Sequence, residues 1–208
     1  RGRGPSLEIF VNLFNSKGFL QESLKNIYEV TNLHLGQDTL IDIGYISKDT
    51  FTQVHHVIVK TDTTYELALK VARPDFESGY LGRLRRASQK TSLVPKFGAY
   101  IKVDSYEFYT EEWLAGYIDY QAMLKNAGAK DSPFLQDIRK QIIAAAIELY
   151  AVLEPDKDGN KLFFENLRIH DILLRFDKGQ EKWTNPKFSS LHSLQPSDKD
   201  KLIKALGS

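Results

Sequence analysis

The sequence predicts an α+β fold in which a small antiparallel sheet precedes a mainly helical half. Apolar residues recur at helical spacing before residue 40 and again after residue 117. Between these two stretches, five short segments are rich in β-branched and aromatic residues, which is typical of strands. The predicted parts are a helical extension of residues 1–39, a sheet with its connecting segment in residues 40–116, and a helical part in residues 117–208.

The helical extension is predicted from its apolar spacing. Leu7, Phe10 and Phe14 recur on one helical face, and Ser6 stands where an N-cap residue is expected. Gly18 interrupts the pattern, and a second helix follows it. We expect the apolar side chains of both helices to pack against the rest of the chain, with a partner chain as the alternative.

Three strands come next, over residues 40–46, 51–60 and 65–72, with polar turns between them. In the third strand, successive side chains point to opposite faces of the sheet. One face carries Leu67, Leu69 and Val71, and the other carries Ala68, Lys70 and Ala72.

The remaining elements follow from the same two periods. A helix is predicted over residues 75–90, and a hairpin that turns at Asp104-Ser105 joins strands over residues 97–103 and 106–113. A short helix is predicted over residues 117–126, and Ser132-Pro133 begins a long one. The apolar stripe of the long helix consists of Ile138, Ile142, Ala145, Leu149 and Val152. An apolar segment over residues 167–176, a turn at residues 177–179 and a weak helix over residues 198–206 complete the chain.

Composition excludes several classes of protein and site. The chain has no cysteine, so it has no disulfide, thiolate nucleophile or zinc–sulfur site, and redox chemistry gives no indication of the compartment. The 28 Lys and Arg nearly balance the 27 Asp and Glu, which argues against nucleic-acid binding. No apolar run approaches the ~20 residues that cross a bilayer, so no membrane partner is expected. His55 and His56 are adjacent on a strand and cannot chelate one metal ion together.

A lysine on a strand face between two alanines is the first candidate for chemistry. The small side chains of Ala68 and Ala72 leave room for a flat ligand, while the Lys70 ammonium reaches a phosphate. Glu77, early in the next predicted helix, is expected to pair with Lys70 and hold it in place. The alternatives are a lysine that extends into solvent and a solvated carboxylate at a helix start.

The order of these segments resembles the protein-kinase-like fold. Glu66-Leu-Ala-Leu-Lys70 is similar to the family's Val-Ala-Ile-Lys strand, and residues 109–116 are similar to its hinge strand. The resemblance covers residues 40–190 and implies two lobes, with a small antiparallel-sheet N-lobe and a short, mainly helical C-lobe. It also implies a nucleotide site that consists of Lys70, Glu77, Ala68, Gly44 and the backbone near Glu112 and Leu114.

The segment that matches the family's catalytic loop departs from the pattern His-Arg-Asp-Leu-x-x-x-Asn. Asn166 falls at the position of the catalytic Asp, and Asp171 falls at the position of the metal-binding Asn. Asn185 falls where the family has the Asp of Asp-Phe-Gly. An amide is no useful base at neutral pH and is a poorer magnesium ligand than a carboxylate. The alternative is that Asn166 and Asp171 are ordinary loop residues.

The resemblance and these departures together imply a pseudokinase, which acts by binding a nucleotide, a protein or both and is not expected to be an enzyme. ATP would bind weakly, with Mg²⁺ held poorly by Asp171 and Asn185 or not at all. Two alternatives stay open: an active atypical kinase with Glu165 as an improvised base, and an α+β protein-interaction module without a nucleotide site. A basic helix face is expected either to be solvated or to dock an acidic partner; it consists of Arg83, Arg85, Arg86 and Lys90.

Overall fold

The computed structural model describes residues 4–36, 38–48, 52–72, 79–126, 132–164, 172–189, 191 and 194–207. Within them the protein is a mixed α+β structure with a five-stranded antiparallel sheet and six helices. The chain divides into two compact units: residues 1–78 with 96–113, and residues 79–95 with 114–208. None of the described helices combines the length and apolar character that crossing a membrane requires.

Two helices begin the first unit, α1 (Leu7–Asn15) and α2 (Lys17–Tyr28). Ser6 caps α1, because its hydroxyl oxygen accepts a hydrogen bond from the N–H of Ile9 at 3.4 Å. The predicted cap is therefore confirmed. The break predicted at Gly18 lies instead at Ser16, and Gly18 belongs to the first turn of α2.

The five strands of the first unit are confirmed and overlap the predicted segments. They are β1 (Leu40–Lys48), β2 (Thr52–Lys60), β3 (Thr64–Ala72), β4 (Phe97–Val103) and β5 (Tyr106–Glu112). The sheet order is β1-β2-β3-β5-β4, and every neighbouring pair is antiparallel. β3 therefore lies at the centre of the sheet, beside the strand that leads out of the unit.

One face of the sheet forms the core of the first unit with α1 and α2. The predicted division of side chains along β3 is confirmed, since Leu67, Leu69 and Val71 are buried in this core. A hydroxyl pair lies inside it: the oxygens of Ser23 and Thr110 are 2.6 Å apart. The other fully or nearly fully buried members are Leu13, Phe19, Leu20, Leu24, Ile27, Leu35, Val57, Val59, Ala99 and Phe108. The helical extension thus packs on the sheet of its own chain.

His55 lies on the same face and is buried among rings. Its imidazole centroid is 5.2 Å from that of Phe10 and 5.6 Å from that of Tyr45. Burial disfavours the charged imidazolium and lowers the pKa of His55 from its ordinary value of 6.5.

We expect acid to destabilise the first unit through His55. As the pH falls below about 6.5 the unfolded chain takes up the proton first, so the stability that the neutral ring supplies is lost as the pH falls through the lowered folded-state pKa. Urea unfolding between pH 8 and pH 5 should therefore show a decline that His55→Gln reduces. His34→Gln, which changes an exposed histidine, should leave the decline intact, and equal slopes for wild type and His55→Gln would contradict the assignment.

The second unit contains the other four helices, α3 (Gly79–Lys90), α4 (Tyr120–Asn126), α5 (Pro133–Val152) and α6 (Lys199–Gly207). Its short strands are β6 (Ile118–Asp119), β7 (Leu162–Phe164), β8 (Ile172–Leu174), β9 (Phe176–Asp177), β10 (Lys182–Trp183), β11 (Lys187–Phe188) and β12 (Leu194–Pro196). They form three small antiparallel groups: β11-β8-β6, β10-β9 and β12-β7.

The start of α4 differs from the prediction, which began this helix at residue 117. Ile118 and Asp119 pair with β8, and the helix begins at Tyr120. The Asp119 carboxylate accepts the N–H of Ala122 at 2.6 Å, so this residue ends the strand and caps the helix.

The long helix α5 agrees with its prediction. The Ser132 hydroxyl caps it by accepting the N–H of Leu135 at 3.2 Å, and Pro133 occupies its first turn. Its predicted stripe is buried at Ile138, Ile142, Ala145 and Leu149.

Candidate functional site

The candidate site is the sheet face that points away from the core of the first unit, and we call it the Lys70 face. The strand register places Gly44, His56, Ala68 and Glu111 in one row across β1, β2, β3 and β5. Directly opposed residues of antiparallel strands present their side chains on the same face. Lys70 lies two residues beyond Ala68 and shares its orientation. Three residues predicted to bind a nucleotide therefore share this face: Gly44, Ala68 and Lys70.

Lys70 makes an ion pair on this face. Its ammonium nitrogen is 3.0 Å from Oε2 of Glu111, and the two side chains are only 13% and 5% exposed. Lys70 lies directly opposite Tyr109, and Glu111 is two residues further along β5. The lysine side chain thus leans along the strands toward the row of Ala68, whose small methyl group leaves room for it. Glu77, the partner expected from the sequence, lies outside the described residues.

A second set of side chains that bind one another lies beside Ala68. Nε2 of His56 is 3.0 Å from Oε1 of Glu66, and the imidazole stacks on the indole of Trp113. The two ring centroids are 3.8 Å apart and the planes differ by 11°. This is a nearly parallel, close stack of two flat rings, and the carboxylate of Glu66 fixes the orientation of the imidazole.

The backbone groups predicted to meet a nucleotide base have partners in the chain. The N–H of Glu112 donates to the carbonyl of Lys96 at 2.8 Å, and the Glu112 carboxylate accepts the N–H of Lys96 at 3.1 Å. Leu114 belongs to the second unit, where its carbonyl accepts the N–H of Tyr117 at 3.3 Å. A ligand would have to replace the Lys96 carbonyl in order to bind the N–H of Glu112.

Gly44 lies inside β1 and faces His56. A Cβ added to Gly44 would meet the backbone oxygen of His56 at 3.9 Å, which is an ordinary van der Waals contact. The local packing therefore does not require glycine at this position, and the residues between Lys48 and Thr52, where the family covers the phosphates, lie outside the described part.

The predicted catalytic and metal positions are mostly outside the described residues. This holds for Asn166, Asp171 and Glu165. Asn185 is described and is exposed between β10 and β11. Across the part of the chain that the structure describes, no group of three or more His, Asp or Glu side chains is placed to hold a metal ion.

The predicted basic helix face is partly engaged within the second unit. Nε of Arg86 is 2.7 Å and the Lys90 ammonium 2.8 Å from the two carboxylate oxygens of Glu154. Hydrogen bonds from Lys90 and Arg86 lower the pKa of Glu154. Two of the four cations that would dock an acidic partner thus tie α3 to the residues after α5.

Three residues of the Lys70 face were missed as site residues by sequence reasoning: Glu111, Trp113 and His56. One indication was present, because a carboxylate in an interior strand needs a partner, but this strand carries three glutamates and the sequence does not single out Glu111. The partner itself depends on the β3–β5 register.

Comparison with known proteins assigns no family to the chain. No protein-family model matches it, and no curated protein is significantly similar to it. The function is therefore judged from the chemistry of its own residues.

Proposed function

We propose that the chain is a divergent kinase-like domain, a pseudokinase, that works by binding a nucleotide, a protein or both. The observation that carries this proposal is the pairing of Lys70 with Glu111 on the Lys70 face. An ammonium on a side chain that is so little exposed to solvent needs an anion beside it, because burying an unpaired charge is costly in free energy. Glu111 meets this need within the chain, and a nucleotide phosphate would meet it in the same way.

The order of elements supports the same proposal. The sheet order β1-β2-β3-β5-β4 places Lys70 on the strand next to the predicted hinge strand. α3 stands between β3 and β4 in the chain, and α5 and the short strands follow β5. This is the succession that the kinase-like resemblance implies, and the two-lobed arrangement is part of the proposal.

Phosphoryl transfer is not part of the proposal because of the residues at two positions. Asn166 and Asn185 carry amides where transfer needs carboxylates, so the attacking hydroxyl has no base and Mg²⁺ loses its main ligand. Among the three positions that match the family's pattern, Asp171 alone carries a carboxylate for a metal ion. We therefore propose weak ATP binding with little dependence on Mg²⁺.

A second candidate function is an α+β protein-interaction module without a nucleotide site. The internal pairing on the Lys70 face favours it, because Glu111 already supplies the anion to Lys70 and Trp113 already stacks on His56. A partner protein would then bind elsewhere on the chain, and nucleotides would have no effect on it.

A ligand-shift experiment separates the two functions. We expect millimolar ATP to raise the unfolding temperature of the wild type, with and without Mg²⁺, because a ligand that binds only the folded state stabilises it. Lys70→Met should abolish the shift measured against the same variant without ATP. Lys102→Met, at an exposed lysine of the same sheet, should keep it. No shift in the wild type at any concentration would contradict nucleotide binding and favour the interaction module.

Transfer from labelled ATP to generic acceptors tests the catalytic alternative. We expect no transfer above that of a Lys70→Met control. Transfer abolished by both Lys70→Met and Asp171→Ala would contradict the pseudokinase proposal and establish an active atypical kinase.

A further inference from the structure

The Lys70–Glu111 ion pair and the stack of Trp113 on His56 lie on either side of one small residue of the Lys70 face. In the strand register, Ala68 lies opposite His56 on β2 and opposite Glu111 on β5. His56 carries the indole of Trp113, and Glu111 holds the ammonium of Lys70. Ala68, whose small side chain was expected to leave room for a flat ligand, is buried and is flanked by two interactions that the chain makes with itself.

These two interactions use the same chemistry that a nucleotide would use. The Glu111 carboxylate accepts the charge of the Lys70 ammonium at 3.0 Å, as a phosphate oxygen would. The Trp113 indole covers the imidazole of His56 as a flat heteroaromatic base does, with the rings nearly parallel. The chain therefore supplies both an anion and a flat ring to the site from its own side chains.

Both side chains belong to the same short segment. Glu111 is the next-to-last residue of β5, and Trp113 directly follows the strand. The main chain at Glu111 is paired with β3 on one side and with β4 on the other, so the carboxylate and the indole would be withdrawn by rotation of the two side chains. The two interactions therefore open by side-chain rotation at two positions of one strand face.

We propose that Glu111 and Trp113 form an internal plug of the Lys70 face, which a nucleotide must displace in order to bind. This inference rests on the proposed function, and it adds the regulation of the same site. The phosphate of the nucleotide replaces the Glu111 carboxylate at Lys70, and the base replaces Trp113 on His56. Since only the open fraction of molecules binds, the apparent affinity of the wild type is reduced by that fraction.

Two variants open the plug from its two sides. Glu111→Gln keeps a hydrogen-bond acceptor for Lys70 but removes the competing charge, and Trp113→Ala removes the indole without touching the ion pair. We expect each variant to bind ATP about tenfold or more tightly than the wild type, as measured by isothermal titration calorimetry. Glu107→Gln is the matched control, because Glu107 lies on the same strand and face and its carboxylate bonds to the hydroxyl of Tyr100.

The opening itself is measured by tryptophan fluorescence. Trp113 and Trp183 are the two tryptophans of the chain, so Trp183→Phe leaves Trp113 as the sole reporter. In that background, ATP should change the Trp113 emission as the indole leaves the imidazole. The change should saturate with the dissociation constant found by calorimetry.

The results separate a failure of the plug from a failure of nucleotide binding. Wild-type affinity in both plug variants would overturn the plug and leave nucleotide binding in place. No ATP binding by the wild type at any concentration would overturn nucleotide binding, and the plug with it. If Glu111→Gln does not fold, Trp113→Ala decides alone, because unchanged affinity in that variant contradicts the plug.

Discussion

Replacing Glu111 by leucine is expected to lower the free energy of unfolding of the first unit by about 3–5 kcal/mol. The side chain of Lys70 is only 13% exposed, and its ammonium pairs with this carboxylate at 3.0 Å. Removal of the carboxylate leaves a desolvated positive charge without its anion, which is among the most destabilising changes a point mutation makes. Urea unfolding followed by circular dichroism measures the loss.

Two controls test whether the loss of stability comes from leaving a buried charge unpaired or from breaking an ion pair of any kind. The double variant Lys70→Met/Glu111→Leu removes both charges and should lie within about 1 kcal/mol of the wild type. Asp42→Leu breaks the pair between Lys60 and Asp42 on the same sheet, which has a similar 2.8 Å separation but side chains 48% and 59% exposed. We expect that variant to cost about 1 kcal/mol or less. Equal costs for Asp42→Leu and Glu111→Leu would show that solvent screens both pairs alike.

Most secondary-structure elements were predictable because their determinants are local. The five strands follow from period-2 runs bounded by polar turns, and α1 and α5 follow from Ser6 and Ser132 at their starts. The start of α4 was not predictable in this way. Ile118 and Asp119 have side chains that fit the helical pattern, but β8 pairs with them from a distant part of the chain. Pairing across a long sequence separation overrides local preference.

In the candidate site, too, the features that depend on local sequence were predictable and those that depend on strand register were not. The sharing of one face by Ala68 and Lys70 required only the alternation of a strand, and it was predicted. The pairing of Lys70 with Glu111 required the register between β3 and β5, which a single sequence does not contain. Sequence proximity favoured Glu77 instead. The stack of Trp113 on His56 likewise depends on the position of the end of β5 relative to β2, so aromatic content alone gave no indication of it.

Gly98→Ala is the second large effect that we expect, with a loss of about 3 kcal/mol in the free energy of unfolding. A Cβ on Gly98 would overlap the hydroxyl of Thr110, lie 3.0 Å from the end of Ile27 and lie 3.2 Å from the Cα of Ser23. The Thr110 hydroxyl cannot turn aside cheaply, because it bonds to the Ser23 hydroxyl at 2.6 Å and accepts the N–H of Ala99 at 3.0 Å. The added methyl group must therefore push α2 away from the sheet.

Gly18→Ala is the matched control, since it makes the same chemical change within α2 at a site where an added Cβ would meet nothing within 4 Å. Alanine favours a helix over glycine by up to about 1 kcal/mol, so this variant should be more stable than the wild type. The two glycine variants are thus expected to change the urea midpoint in opposite directions. A midpoint for Gly98→Ala at or above that of the wild type would mean that α2 does not pack on β4 as closely as the contacts of Gly98 require.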